Sequence, residues 1–383
     1  MARAMRRATP PDASESLLVR PLFPVGLLAC GYFALAAFFA LILRYDFMRS
    51  DVSWYWKNSL SWETPFDTLH VPGYPLTIAL VRGVTLGMLP PVPLMMGINL
   101  AAFLLCGLTL HRILRAAGVS GEMSAIGVLL FGLWPFVGLV YAVDPIADIP
   151  GMLFFLLGLS ALQRLRLSVG ALFLGISVVV QKAMWPFVGL TMLADFLWRK
   201  EYISRRNLQL VALAGFPLAG LWTLGAVHYH SLAWIFLGST EMLIVPRSSW
   251  MLLNGLLGTI LAGGTIAMMK GVSLLSLAAL SVFAVYTGFS ARSGRDRVRH
   301  FYGLAVSCAT LVLFVMLNQY EIWAAVRFSR LLVIPLIPWA FGTLQARGQS
   351  LAPGRLRIVI VVMVALFGTQ LAYAWYMARV FFA

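Results

Sequence analysis

Apolar stretches about as long as a bilayer is thick recur along the chain, separated by short polar connections rich in arginine. The first covers residues 22–43 and follows a basic N-terminal stretch, 1–21, holding Arg3, Arg6, Arg7 and Arg20. It is too long for the core of a cleaved signal peptide and reads as an uncleaved first span. Further spans are predicted at 92–110, 123–141, 149–163, 169–181, 183–198, 208–228, 301–317, 331–344 and 358–377. Between 229 and 290 the apolar stretches 252–268 and 272–289 stand out, yet the flanking charges require an odd number of crossings. Either 232–245 also inserts, or the stretch around Gly255, Gly258, Gly263 and Gly264 does not cross. Backbone polar groups in lipid must bond within their own segment, so these spans are helices. The expectation is an all-α, polytopic membrane protein of roughly 11–13 transmembrane helices, one membrane domain over 1–383 with no separate soluble domain.

Residues 44–91 break the rhythm. The stretch 44–70 reads RYDFMRSDVSWYWKNSLSWETPFDTLH, polar and aromatic, the longest part of the chain without a span. Loops of this length are usually functional, and its tryptophans and tyrosines suit short helices lying at headgroup level. The stretch 71–91 starts with Pro72 and Pro75 and is closed by Pro90 and Pro91. That leaves about 15 residues, or about 22 Å of helix, short of the roughly 30 Å hydrocarbon core. It also carries Arg82, so it is read as re-entrant or interfacial.

Composition and charge agree with this layout. Of the 383 residues 61% are hydrophobic and 11% charged, with a mean hydropathy of +0.87. Soluble domains carry about a quarter charged residues. The net charge of +15 does not indicate nucleic acid, because the basic residues are spread over many loops rather than gathered on one face. They mark cytoplasmic loops instead: Arg112 and Arg115; Arg164 and Arg166; Arg199, Lys200, Arg205 and Arg206; Arg292, Arg295, Arg297 and Arg299; Arg347, Arg355 and Arg357. The opposite loops hold Asp46, Asp51, Glu63, Asp67, Asp144, Asp148, Glu241 and Glu321. Cys30, Cys106 and Cys308 fall inside apolar stretches and form neither a disulfide framework nor a zinc motif.

Chemistry is therefore sought at the acidic, outer face. Asp51 stands in SDVSWYW, where burial among aromatic walls would raise its pKa toward that of a general base. Asp144 and Asp148 stand in YAVDPIAD at a helix start. The plain alternative for Asp148 is a helix N-cap, and for Asp46 and Asp67 a solvated loop charge. Lys182, in VVVQKAMWPF, and Arg327 and Arg330, in VRFSRLLVIPLIP, sit at the outer membrane boundary. They either snorkel to lipid headgroups or hold a phosphate or pyrophosphate, for which arginine offers a bidentate match.

The order of these pieces resembles the GT-C superfamily of polyprenyl-phosphate-sugar-dependent glycosyltransferases, of the protein mannosyltransferase and lipid A aminoarabinose transferase type. The shared sequence is a span, a long outer loop with an early Asp, and HVPGYPLTIAL. Then come DPIADIPGMLFFLLGLSAL, LGISVVVQKAMWPF and RFSRLLVIPLIP. The resemblance implies an inverting sugar transfer to a lipid, glycan or protein acceptor at the outer face of a bacterial inner membrane. Asp51 is then the base, with Asp46 as second choice, although Ser50 and Val52 flank Asp51 where members of the family carry an adjacent acidic pair. Asp144 and Asp148, with His70, position the acceptor or a divalent cation such as Mg or Mn, which some members use. Lys182, Arg327 and Arg330 hold the donor phosphate.

Two other functions fit a chain of this composition. A transporter or flippase of a lipid-linked or small polar substrate would place ionisable residues near the midplane within repeated halves; here the acids gather at one face and no internal repeat is visible. A non-catalytic membrane assembly subunit would be indifferent to alanine at Asp51.

Overall fold

In the computed structural model, the described residues are 21–48, 50–61, 72–134, 138–164, 166–181, 184–199, 205–230 and 322–346, with 302, 361, 364–368, 371–372 and 375. All structural statements concern these. Three helices are long and apolar enough to cross a membrane. The first is α1 (Leu22–Ala37), which runs on into a π-helical turn, Phe38–Ile42. The second is α4 (Pro91–Ala116), opened by Pro91 at its first position, where a missing N–H costs nothing and φ is already helical. The third is α10 (Arg205–Tyr229), with Pro217 inside it. Leu22, Phe33, Leu41 and Ile42 of α1 and Leu208, Phe216, Leu224 and Val227 of α10 are exposed, as a lipid-facing surface requires.

Between α1 and α4 lie α2 (Ser50–Leu60) and α3 (Gly73–Val84). The 12 residues of α3 give about 18 Å of helix, less than the roughly 30 Å thickness of the hydrocarbon core. It ends in a turn with Leu86 at φ 51° and Gly87 at φ 70°.

The predicted span 123–141 is not one helix. It forms α5 (Gly121–Leu133) and a short α6 (Leu139–Val143), with Trp134 at φ −57°, ψ 130° between them. The cause is Pro135: the residue before a proline is pushed out of helical geometry into the extended region. Next come α7 (Asp148–Gln163), α8 (Leu167–Val180) and α9 (Trp185–Arg199). α7 and α8 form an antiparallel pair that crosses at Gly158 and Gly170, where a Cβ on either would lie 3.2 Å from the carbonyl oxygen of the other. Small residues permit this approach, a common device in membrane helix pairs.

The last described helix, α11 (Ile322–Ala346), contains Pro335 and Pro338. It starts nine residues before the predicted span 331–344, because the arginines ahead of that apolar stretch are themselves good helix formers and extend it rather than stop it. The predicted spans 301–317 and 358–377 and the stretch 232–289 lie outside the described residues, apart from residue 302 and the few positions given above near the C-terminus.

The core joins α1 with α4, α5, α6, α7, α8, α9, α10 and α11. Phe103 of α4 stacks on Phe131 of α5 at 6.0 Å, and the Tyr32 hydroxyl of α1 donates to the Met96 carbonyl of α4 at 3.0 Å. At one end of this bundle lie Arg112, Arg115, Arg164 and Arg166, where the Gln163 amide donates to the Ile113 carbonyl at 3.2 Å. At the other end a second apolar cluster forms, and the candidate site is there.

Candidate functional site

The sequence SDVSWYWKNSL makes α2 amphipathic. Asp51 falls in its first turn, where the positive end of the helix dipole favours a carboxylate. Val52 and Tyr55, three residues apart and so on one side of the helix, are buried. They pack with Tyr74 and Ile78 of α3, Leu94 and Met95 of α4, Ile146 and Ala147 of the α6–α7 turn, and Val180 at the end of α8. Tyr55 meets Tyr74 edge-on with centroids 5.0 Å apart, and the Arg82 guanidinium of α3 lies 5.8 Å from the Trp56 ring centre, a cation–π contact that holds the two helices together. Asp51 itself is half-buried beside Val52.

The turn that carries the other two acids is fixed by a side chain from inside the bundle. Asn99 of α4 is fully buried, and its amide nitrogen donates to the carbonyls of Asp144 at 3.0 Å and Ile146 at 3.1 Å. Its amide oxygen is met by the Tyr74 hydroxyl at 2.9 Å, which also lies 3.2 Å from the Pro145 carbonyl. Tyr74 is fully buried as well. Burial foremost, then the Tyr55 hydroxyl and the Asp144 carboxyl nearby, with a further contribution from Tyr32, push its hydroxyl well above the usual tyrosine range, so it remains a protonated donor. Both N–H groups and the oxygen of Asn99 are thus used, as burial demands.

Asp148 is not the helix cap. Ala147 occupies the cap position of α7 with no side-chain bond, and Asp148 is the first helical residue. Its buried carboxylate instead accepts a hydrogen bond from the Gln181 amide, 33 residues further on at the end of α8. The cap expectation failed because a non-local partner outcompetes the local backbone for this carboxylate. Asp144, half-buried, ends α6 in extended geometry.

Asp46 stands apart from this cluster. It is exposed, and its carboxylate accepts from the Met48 amide at 2.9 Å, a loop turn of the kind aspartate makes with its own backbone. The loop around it is braced by Phe39, Tyr45 and Phe47, with centroids 4.9–6.2 Å apart. His70 and Lys182 lie outside the described residues, Lys182 directly following Gln181 in the chain. Arg327 and Arg330 lie three residues apart on the helical backbone of α11. Among the described residues no three His, Cys, Asp or Glu side chains come together as a metal site. His70, which the resemblance sets beside Asp144 and Asp148 for an acceptor or a divalent cation, lies outside the described residues.

Sequence reasoning passed over Tyr74, Asn99 and Gln181. The signal for Asn99 was present, since a lone amide in an apolar span is a functional candidate. Tyr74 and Gln181 carried no such mark.

No protein-family model and no curated protein matches this sequence. Among solved structures, the fold is similar to that of the arabinofuranosyltransferase AftD from mycobacteria, determined by single-particle cryo-EM. The match has a TM-score of 0.51 at 14% identity and covers 92% of this chain and 26% of that one. The chain therefore spans about a quarter of the length of that protein. At this identity the likeness concerns the fold: this chain is an integral membrane protein, all-helical among the described residues, whose architecture resembles that of the mycobacterial arabinofuranosyltransferase.

Proposed function

We propose that this protein is a membrane glycosyltransferase that moves a sugar from a polyprenyl-phosphate donor to a lipid, glycan or protein acceptor at the outer face of the membrane. The observation that supports this reading most is the shared wall between two acidic segments far apart in sequence. The α2 helix bearing Asp51 and the 144–148 turn bearing Asp144 and Asp148 pack into one apolar cluster with the end of α8, just ahead of Lys182. The fold likeness adds weight, and so does the apolar surface around the bundle, which suits a lipid-linked substrate.

In the proposed reaction the half-buried Asp51 takes the proton of the acceptor hydroxyl. The acceptor oxygen forms its bond to the anomeric carbon from the face opposite the phosphate, so the configuration inverts. The bond from the anomeric carbon to the phosphate oxygen breaks, and polyprenyl phosphate leaves with the electron pair. Phosphate is a fair leaving group, so no covalent enzyme intermediate is required. Lys182, Arg327 and Arg330 are the cations assigned to the growing phosphate charge. Asp51 is preferred over Asp46 as the base because Asp46 is exposed and already committed to the Met48 amide. Asp148, bonded to Gln181, serves the architecture of the turn, leaving Asp144 to face the acceptor. No step is routed through a metal.

The test is direct. Purified protein in lipid is supplied with polyprenyl-phosphate sugars and an acceptor extract, and release of polyprenyl phosphate is measured. Asp51→Asn is expected to lower the rate about a hundredfold or more, the scale of general-base catalysis. Full activity in that variant removes Asp51 as the base; no release from any such donor removes the glycosyltransferase reading.

A further inference from the structure

We propose that Tyr74 and Asn99 are positioning residues, a clamp through which α3, and α2 packed on it, sets where the 144–147 turn holds Asp144. The proposal rests on the glycosyl-transfer reading for its catalytic half, while its mechanical half stands on the hydrogen bonds alone.

The clamp links three parts of the chain that share no sequence neighbourhood. Asn99 reaches the turn 45 and 47 residues on, and Tyr74 reaches Asn99 across 25. Other contacts also brace the turn: Ile146 and Ala147 pack in the apolar cluster, and Asp148 beside them is bonded to Gln181. The turn's one internal backbone bond is the short Ile146 amide to Asp144 carbonyl contact at 2.8 Å, and the cap of α7 contributes no side-chain bond. Asn99 grips both carbonyls that flank Pro145, so the orientation of the Asp144 backbone follows the position of α4. The Tyr74 hydroxyl then ties that grip to α3, and the Tyr74 ring meets Tyr55 of α2 edge-on. A substrate that shifts the long outer loop would be felt at Asp144 through one hydroxyl and one amide. The acidic segments would act as a coupled pair rather than as independent groups.

Two isosteric substitutions separate this from general stability. Tyr74→Phe removes only the hydroxyl and leaves the ring against Tyr55. Asn99→Asp keeps the shape but sets a carboxylate against two carbonyls. Tyr32→Phe is the control, since it deletes a comparable hydroxyl bond on the same α4 helix, made to Met96 rather than to the turn. Each is made in the full chain in lipid. The variants are measured for kcat and KM per folded molecule and for hydrogen exchange over residues 139–154. A misplacement of the order of 1 Å costs about a hundredfold in rate. The clamp variants are expected to lose about tenfold to a hundredfold in kcat with little change in donor KM, and to exchange faster over the turn. Tyr32→Phe is expected to do neither.

Unchanged kcat in the clamp variants, or an equal loss in Tyr32→Phe, overturns the positioning role. If the wild-type protein transfers no sugar, the functional reading fails separately. Exchange over 139–154 then decides the mechanical half: faster exchange in Tyr74→Phe supports it and unchanged exchange overturns it.

Discussion

Gly73 opens α3 where its backbone touches the backbone of α8. A Cβ added there would fall against the Val179 carbonyl oxygen, 2.7 Å from the Val179 carbonyl carbon and 2.8 Å from the Val180 Cα. Carbon atoms in contact sit about 3.5–4.0 Å apart, so Gly73→Ala requires the two helices to separate by about 1 Å. All three neighbours are main chain, and no rotamer can relieve the overlap. Overpacking of this kind costs about 1–3 kcal/mol, offset by about 0.5–1 kcal/mol from placing alanine rather than glycine in a helix. The net is a loss of up to about 2.5 kcal/mol, which over 383 residues, at about 2.1 cal/mol/K of unfolding entropy each, reads as a fall of up to about 3 °C in melting temperature. Because Tyr74 is the next residue, a 1 Å displacement of α3 is expected to disturb its 2.9 Å contact with Asn99, and a lengthening by that amount would take it past hydrogen-bonding range. Transfer activity should fall further than stability does. The assay is thermal unfolding in lipid followed by tryptophan fluorescence, beside the polyprenyl-phosphate release rate. Gly26→Ala on α1 is the comparison, since nothing lies within 4 Å of a Cβ there, and it should melt at or slightly above the wild-type temperature. A Gly73→Ala protein that melts with it would refute the close-approach argument.

Asp46→Asn keeps an oxygen for the Met48 amide and should leave the release rate unchanged; a loss as large as that of Asp51→Asn would move the base to Asp46. Asp148→Ala strips the Gln181 amide of its acceptor and should cost about 1–3 kcal/mol in denaturation, most of it recovered in Asp148→Asn. For Tyr74, whose hydroxyl is raised above the ordinary 10.0 in the folded protein, the neutral form is favoured by folding. Its contribution is whole below about pH 10 and is lost as pH rises beyond it. Denaturation curves should therefore weaken less steeply above pH 10 in Tyr74→Phe than in the wild type.

The long helices were legible because lipid imposes a length and a composition that few sequences meet by accident. The span 22–43 follows from counting apolar residues between Arg20 and Arg44, and the shortness of α3 from counting between prolines. The break after Leu133 was written in Trp134–Pro135, but averaging over 123–141 hides a single proline behind strong hydrophobicity. The acids at 51, 144 and 148 were visible as charges on one side of the membrane, whereas their partners were not. Gln181 answers Asp148 from 33 residues away, and Asn99 answers Asp144 from 45. Periodicity reports which face of a helix is buried; it says nothing of which distant side chain meets that face.

The π-helical turn at Phe38–Ile42 has a geometric consequence for everything downstream of α1. Such a turn is an α-helix carrying one surplus residue, and each residue of an α-helix turns the chain by about 100°. The wider turn absorbs that residue, so losing one here would restore regular α-helix and leave Tyr45, Phe47 and the start of α2 on much the same bearing, whereas the same loss within Leu22–Ala37 would swing them by about 100°. The bearing of the segment that follows α1 is thus set by chain register, to which hydropathy is blind.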